Sequence, residues 1–192
     1  MKLNRSVVRD VIAGVDWGFT NPGVIVVFAI DGDGRMYLIR EHYMTRQTID
    51  WWLVRAKQCQ RDLGVSVFVC DPAEPGFIQQ FNKAGLRAVA GKNEILPGID
   101  AVQQRLDIAG DGKPRLMLYQ DALVELDQQL RDEGKPTCTA DEVTTYVWEM
   151  PRSGKTAGKD KPVDDSNHGL DALRYAVAHL DLKKRYTRIG GA

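Results

Sequence analysis

Before residue 45 the apolar positions come in short β-branched runs, without helical spacing. Val7 to Val15 ends at Asp16, Val24 to Ile30 follows, and Met36 to His42 returns after the turn Asp31-Gly32-Asp33-Gly34. Runs of this kind around a Gly/Asp turn predict a three-stranded antiparallel meander. From Thr48 to Leu63 the period changes. Ile49, Trp52, Leu53, Ala56 and Cys59 or Gln60 recur at three-to-four spacing, which predicts a helix ended by Gly64.

Val65 to Cys70 is a buried-strand run that again ends in an aspartate, Asp71. Pro75 to Ala84 suits a helix with an early proline, closed by Gly85, and Leu86 to Ala90 suits a strand. Ile99 to Leu106 belongs to a helix, Arg115 to Tyr119 to a strand, and Asp121 to Asp132 to a helix capped by Asp121. Val143 to Trp148 is expected to be the last strand. A final helix is capped by Asp165 or Ser166 and carries an apolar stripe of Leu170, Leu173, Val177 and Leu180. No internal repeat is present. Three antiparallel strands followed by alternating helices and strands predict an α/β domain. Its mixed sheet, antiparallel then parallel, is flanked by helices, with Val65–Cys70 parallel to the first strand. The domain is expected over 1–182, with a basic loop at 150–162 and a basic, then glycine-rich, fraying tail at 183–192.

The length, 192 residues, fits that single domain, and 43% hydrophobic content supplies a core. Lys and Arg total 26 and Asp and Glu total 26, which excludes a general polybasic nucleic-acid binder. It does not exclude a metal-dependent nuclease, whose clustered acids and surrounding bases cancel. Cys59, Cys70 and Cys138 show no paired spacing, so neither a disulfide framework nor a zinc site is indicated. No apolar run is long enough to span a membrane and the first residues lack a signal-peptide stretch, so a cytosolic protein with no membrane partner is expected.

Asp16 and Asp71 each terminate a run with the character of a central strand. On neighbouring parallel strands both carboxylates emerge at the same end of the sheet, and two carboxylates that close ionise cheaply only with a cation between them. Asp171, on the final helix beside its apolar stripe, is close enough to join them. Three such acids form a hard oxygen set suited to Mg²⁺ or Mn²⁺. Each also has a plainer reading: Asp71, before Pro72, suits a turn or cap, and Asp171 suits a solvated helix position. Asp16 is flanked by Gly14 and Gly18, which suggest close approach of another group to the backbone.

Three segments carry a family resemblance. Gly14-Val15-Asp16-Trp17-Gly18, Cys70-Asp71-Pro72-Ala73-Glu74-Pro75 and Asn167-His168-Gly169-Leu170-Asp171-Ala172-Leu173-Arg174-Tyr175-Ala176 resemble the nuclease domain of tailed-phage terminase large subunits, which has a ribonuclease H-like fold. The resemblance runs from about Val11 to Leu182, and its last segment is the most specific. It implies that Asp16, Asp71 and Asp171 are the catalytic, metal-binding acids, with Asp16 bridging two Mg²⁺ or Mn²⁺ ions. It further implies hydrolysis of double-stranded DNA concatemers during genome packaging, in the cytoplasm of an infected bacterium. The implied partners are a packaging ATPase domain, a small terminase subunit and a portal. The sequence in hand starts just before the nuclease motifs, and an isolated nuclease domain, a fragment or a processed piece, is expected. Ser153-Gly154-Lys155-Thr156 only imitates a phosphate loop, because Glu149 stands where its first glycine belongs.

His168, three residues before Asp171, shares its helix face and is a further candidate ligand; Asp165 competes with it but also suits the helix cap. Candidate DNA contacts are Lys92, Arg105, Arg152, Lys155, Lys159 and Lys161, and only the four basic residues between 150 and 162 form a concentration. Three rivals remain. Asp16-Trp17-Gly18-Phe19-Thr20 resembles the phosphate loop of actin-like ATPases and sugar kinases, which need a second domain. A docking module would use one of the adjacent Trp51 and Trp52 as a contact surface. A Holliday-junction resolvase would differ in preferring branched DNA.

Overall fold

A β-branched run separated from the next by six residues, and that one from a third by an Asp-Gly turn, gives β1 (Val8–Asp16), β2 (Gly23–Asp31) and β3 (Met36–Met44), paired antiparallel. The β2–β3 turn is held by Asp31, whose carboxylate accepts from the Asp33 and Arg35 amides and the Tyr37 hydroxyl, with Gly34 at φ 80°. This computed structural model describes residues 7–145 and 167–182. The predicted helix is α1 (Ile49–Leu63), and Gly64 at φ 77° ends it by returning its amide to the Gln60 carbonyl.

β4 (Val67–Cys70) pairs parallel with β1, as expected. It is followed by α2 (Pro75–Lys83), β5 (Ala88–Ala90) parallel to β4, α3 (Ile95–Leu106), and β6 (Leu116–Leu118) parallel to β3. The six strands lie in the order β5-β4-β1-β2-β3-β6. The central strands are covered on both faces, which is why they read as continuous apolar runs. Ala13, Val15, Ile25, Val27 and Phe68 meet Trp52, Ala56 and Phe81 of α1 and α2 on one face. Ile12, Val24, Val26, Val67 and Val69 meet α3 and the final helix, α6 (His168–Asp181), on the other. Among the described residues no helix is long and apolar enough to cross a membrane.

Several expectations are corrected. The segment 121–132 is not one helix. A 3-10 turn spans Gln120–Ala122, Leu123 bridges to Glu41 as extended chain, and α4 (Gln128–Asp132) is capped by Asp127, whose carboxylate accepts from the Gln129 and Leu130 amides. Asp121 lies inside the 3-10 turn and is not the cap of that helix. The expected strand from Val143 begins inside a helix, α5 (Thr139–Thr145), and its remainder lies outside the described residues. The segment Ile99 to Leu106 is, as expected, part of a helix, α3, which begins at Ile95 with Pro97 in its first turn, where no amide is required. On α6 the buried run is Ala172 to Ala178, with Leu170 and Leu180 only half-buried, because the helix is wedged between the sheet and α3 instead of lying on a surface. Trp52 is core, whereas Trp51 is half-buried under the Arg55 guanidinium, 4.4 Å from its ring centroid.

Candidate active site

β1 and β4 are parallel neighbours in register at Val15 and Cys70, so the next residues, Asp16 and Asp71, leave the same end of the sheet side by side. The Asp71 amide donates to the Val15 carbonyl at 2.8 Å. Trp17 turns inward, edge-on to Phe77 and Phe81, and its indole N–H donates to the Asp71 carbonyl at 3.0 Å. Gly14 is required by packing, since a Cβ there would lie 1.9 Å from the Ala172 carbonyl oxygen of α6. The close approach implied by the glycine is that of α6's own backbone.

Laid against Gly14, α6 brings its first turn to the acids. His168 Nδ1 is 3.0 Å from Asp16 Oδ2. Asp171, one turn on, accepts at Oδ1 from Arg174 Nε (3.1 Å) and Nη2 (2.8 Å). Asp71 Oδ1 accepts from the Ala73 amide (3.0 Å) and the Tyr175 hydroxyl (3.3 Å). Asp16 is only 7% exposed, and burial pushes its carboxyl up to about 6. The His168 hydrogen bond and charge pull it back, while the charges of Asp171 and Asp71 push the same way as burial. His168 is raised from its ordinary range. Burial opposes its charge, but the bond to Asp16 and the fields of Asp16, Glu142 and Asp171 outweigh that.

The structure thus brings Asp16, Asp71, Asp171 and His168 to one end of the sheet. As placed, among the described residues no three His, Cys, Asp or Glu side chains surround a common metal position. Each of the three carboxylates is engaged with a donor of the protein. By chemistry the set still suits a hard divalent ion: three carboxylates and an imidazole, with a buried acid whose ionisation a cation would favour.

The basic candidates divide. Arg105 lies away from the acids. Its Nε and Nη2 fork onto Asp181 (2.6 and 2.8 Å) and its Nη1 donates to Gly34 in the β2–β3 turn, at the opposite end of the sheet from Asp16. It ties α3 to α6. Lys92, just after β5, has Nζ 3.5 Å from the Leu182 carbonyl. Arg152, Lys155, Lys159, Lys161 and Asp165, with the imitation phosphate loop, lie outside the described residues.

Sequence reasoning missed the supports behind the site. Alternate residues of β3 and its continuation, Glu41, Tyr43 and Thr45, each hold a helix: Glu41 and Tyr43 bind α5, and Thr45 binds the cap of α4. Glu41 Oε1 accepts from the Thr139 amide and hydroxyl at the start of α5. Tyr43 donates to Glu142, which accepts from the Gly169 and Leu170 amides in the first turn of α6. Thr45 donates through its amide and hydroxyl to Asp127, the cap of α4. A bulge in β3, where Val27 faces Arg40 but Phe28 faces Leu38, leaves Ile39 unpaired and shifts the side-chain parity. That shift turns Glu41 and Tyr43 toward α5 and α6.

Burial pushes Glu41 up to about 7, against the pull of the two Thr139 donors. Between pH 4.5 and 7 the folded state therefore holds a proton that the unfolded chain has released, and this contribution to stability is lost as pH rises through the window. Glu41→Gln keeps Oε1 for both bonds and cannot titrate. Urea unfolding should show its stability falling less steeply from about pH 5 to 7 than wild type, by up to ~3 kcal/mol across the window. Parallel slopes would place the titration elsewhere.

No protein-family model and no curated protein matches the sequence. Solved structures do match. A large terminase from a thermophilic bacteriophage superposes with a TM-score of 0.71 and 21% identity, over 90% of this chain and 40% of that one. The nuclease domain of the bacteriophage SPP1 large terminase, with bound Mn, gives 0.62 and 16% over 93% and 91%. The P22 large terminase nuclease domain gives 0.60 and 16% over 92% and 82%. The chain has a ribonuclease H-like fold. More particularly, it has the fold seen in large-terminase nuclease domains, and it spans about 40% of the length of the thermophilic phage protein.

Proposed function

We propose that this chain is the nuclease of a phage packaging terminase, a divalent-metal-dependent endonuclease that hydrolyses phosphodiester bonds of double-stranded DNA concatemers. The observation that carries this reading is the meeting of a buried Asp16 with Asp71, Asp171 and His168 at the carboxyl end of parallel strands. It is supported by a fold shared with nuclease domains, one of which holds Mn. Asp16, Asp71 and Asp171 would hold Mg²⁺ or Mn²⁺ ions, with His168 and Asp165 as further ligands. His168 would use Nε2, since Nδ1 is on Asp16. When bound, the ions supply Lewis-acid activation of water and charge for the leaving 3′ oxygen. The protein's own part is to orient the carboxylates. His168 fixes Asp16, Glu142 seats the turn that carries His168, and the Trp17 bond fixes the main chain at Asp71. Lys92, Arg152, Lys155, Lys159 and Lys161 would contact backbone phosphates. A packaging ATPase domain, a small terminase subunit and a portal are the expected partners, in the cytoplasm of an infected bacterium.

Linear and supercoiled DNA incubated with Mg²⁺, Mn²⁺ or chelator tests the proposal: cleavage with either metal and none with chelator is expected, and chelator-resistant or absent cleavage defeats it. The pH dependence follows from the protons held at the acids. A cation must displace those that Asp16 and His168 retain, so Mn²⁺ affinity should rise with pH through about 6, as Asp16 ionises, and go on rising until His168, raised above its ordinary range, has also lost its proton. His168→Ala should raise the Mn²⁺ concentration for half-maximal cleavage about 10-fold and shallow that rise. A variant matching wild type in both makes His168 purely structural.

A further inference from the structure

We infer that Arg174 and Tyr175 act as a two-headed positioning brace, holding Asp171 and Asp71 at a fixed separation for a shared cation. The inference rests on the metal-site reading above. Consecutive residues on a helix do not normally address one target. Here they do. Arg174 grips Asp171 Oδ1 through two nitrogens, Tyr175 donates to Asp71 Oδ1, and the guanidinium carbon lies 4.6 Å from the Tyr175 ring centroid, so the two heads stack. A helix acid and a strand acid are thereby joined through one packed unit, 5% and 3% exposed at its two residues.

Two other elements make room for it. A Cβ on Gly98 of α3 would lie 2.7 Å from Arg174 Cγ, and one on Gly91, after β5, would lie 2.6 Å from Tyr175 Cδ1. Gly91 also donates its amide to the carbonyl of Cys70, the residue before Asp71. The arrangement is poor for stability alone. Arg174 Nη1 is buried with no hydrogen-bond partner among the described residues, a cost that a leucine or methionine in the same notch would avoid. An arginine there makes sense for what its other two nitrogens hold.

The sign of the effect on metal affinity separates positioning from simple charge. If Arg174 were only an internal counter-ion, removing its charge beside Asp171 would tighten cation binding. If it positions Asp171, removal weakens binding, because the carboxylate must then be ordered as the ion arrives. Mn²⁺ titrations of the full chain, by calorimetry and by the Mn²⁺ electron-spin signal, with thermal unfolding of the same samples, test this. Tyr175→Phe and Arg174→Gln should each raise the Mn²⁺ Kd about 10-fold. Arg174→Lys should fall between Arg174→Gln and wild type, and the double variant should lose little more than either single, as expected of one unit. Gly98→Ala, which touches no acid, should weaken Mn²⁺ in the same direction. Tyr175→Phe removes a single hydroxyl and carries the test if Arg174→Gln does not fold. A wild-type Kd in Tyr175→Phe, or tighter binding by Arg174→Gln, overturns the brace. Absence of Mn²⁺ binding by the wild type overturns the metal reading and the brace with it, whereas wild-type binding with unchanged variants overturns the brace alone.

Discussion

Asp16→Asn should lower DNA cleavage by more than about 100-fold, beyond the loss typical of a ligand's outer partners, and at the same time make the protein more stable above about pH 6. Asparagine keeps the shape and a polar atom for His168, but removes the charge that would hold a cation. The stability gain follows from burial. Because the folded carboxyl is raised to about 6, the folded state resists ionisation, and the stability that the bound proton provides is lost as pH rises from the ordinary carboxylate range through 6. An uncharged side chain escapes that loss, so unfolding at about pH 8 without metal should show Asp16→Asn more stable by about 1–3 kcal/mol. Near-native Mn²⁺-dependent nicking by the variant would remove Asp16 from the catalytic set. Equal or lower stability at that pH would mean that the carboxylate is at ease in its buried position without a cation.

The second large effect is predicted for Gly14→Ala, one methyl that replaces no acid and removes no ligand. Its Cβ would fall 1.9 Å from the Ala172 carbonyl oxygen and 2.7 Å from the carbonyl carbon. Both are backbone atoms, and the central strand β1 is held on both sides, so α6 must be lifted off the sheet. Overpacking against backbone should cost about 3 kcal/mol, lowering Tm by about 6–12 °C for a chain of this size. Cleavage should fall with it even where the variant is still folded, because α6 carries His168 and Asp171. An unchanged Tm would mean that the helix yields more easily than its burial implies.

Asp16 and Asp71 could be placed side by side from sequence because each ends a continuous apolar run, and such runs become adjacent, doubly covered strands. His168 and Asp171 could be placed on one helix face by their spacing. The supports were illegible for a specific reason. Reading β3 by strict alternation gives Glu41 and Tyr43 the wrong face, since the bulge at Ile39 comes from three-dimensional pairing with β2. Without Glu41 and Glu142 as anchors, the β-branched residues after Glu142 read as strand, whereas tertiary hydrogen bonds make that segment α5. Likewise Arg105 reads as an available cation until the fold brings Asp181, 76 positions away in the chain, against it.

The threefold attachment of helices to β3 also bears on motion. The first turn of a helix ordinarily frays first, because its amides have no partners within the helix. In α6 the Gly169 and Leu170 amides are closed by Glu142, which is itself held by Tyr43 from a strand inside the sheet. Their hydrogen exchange should therefore follow opening of the core, not local fraying. Glu142→Ala should release those two amides to fast exchange while leaving the middle of α6 slow. The end of the helix that bears His168 would then be as rigid as the sheet it faces, and that rigidity would depend on one carboxylate anchored three strands away from Asp71.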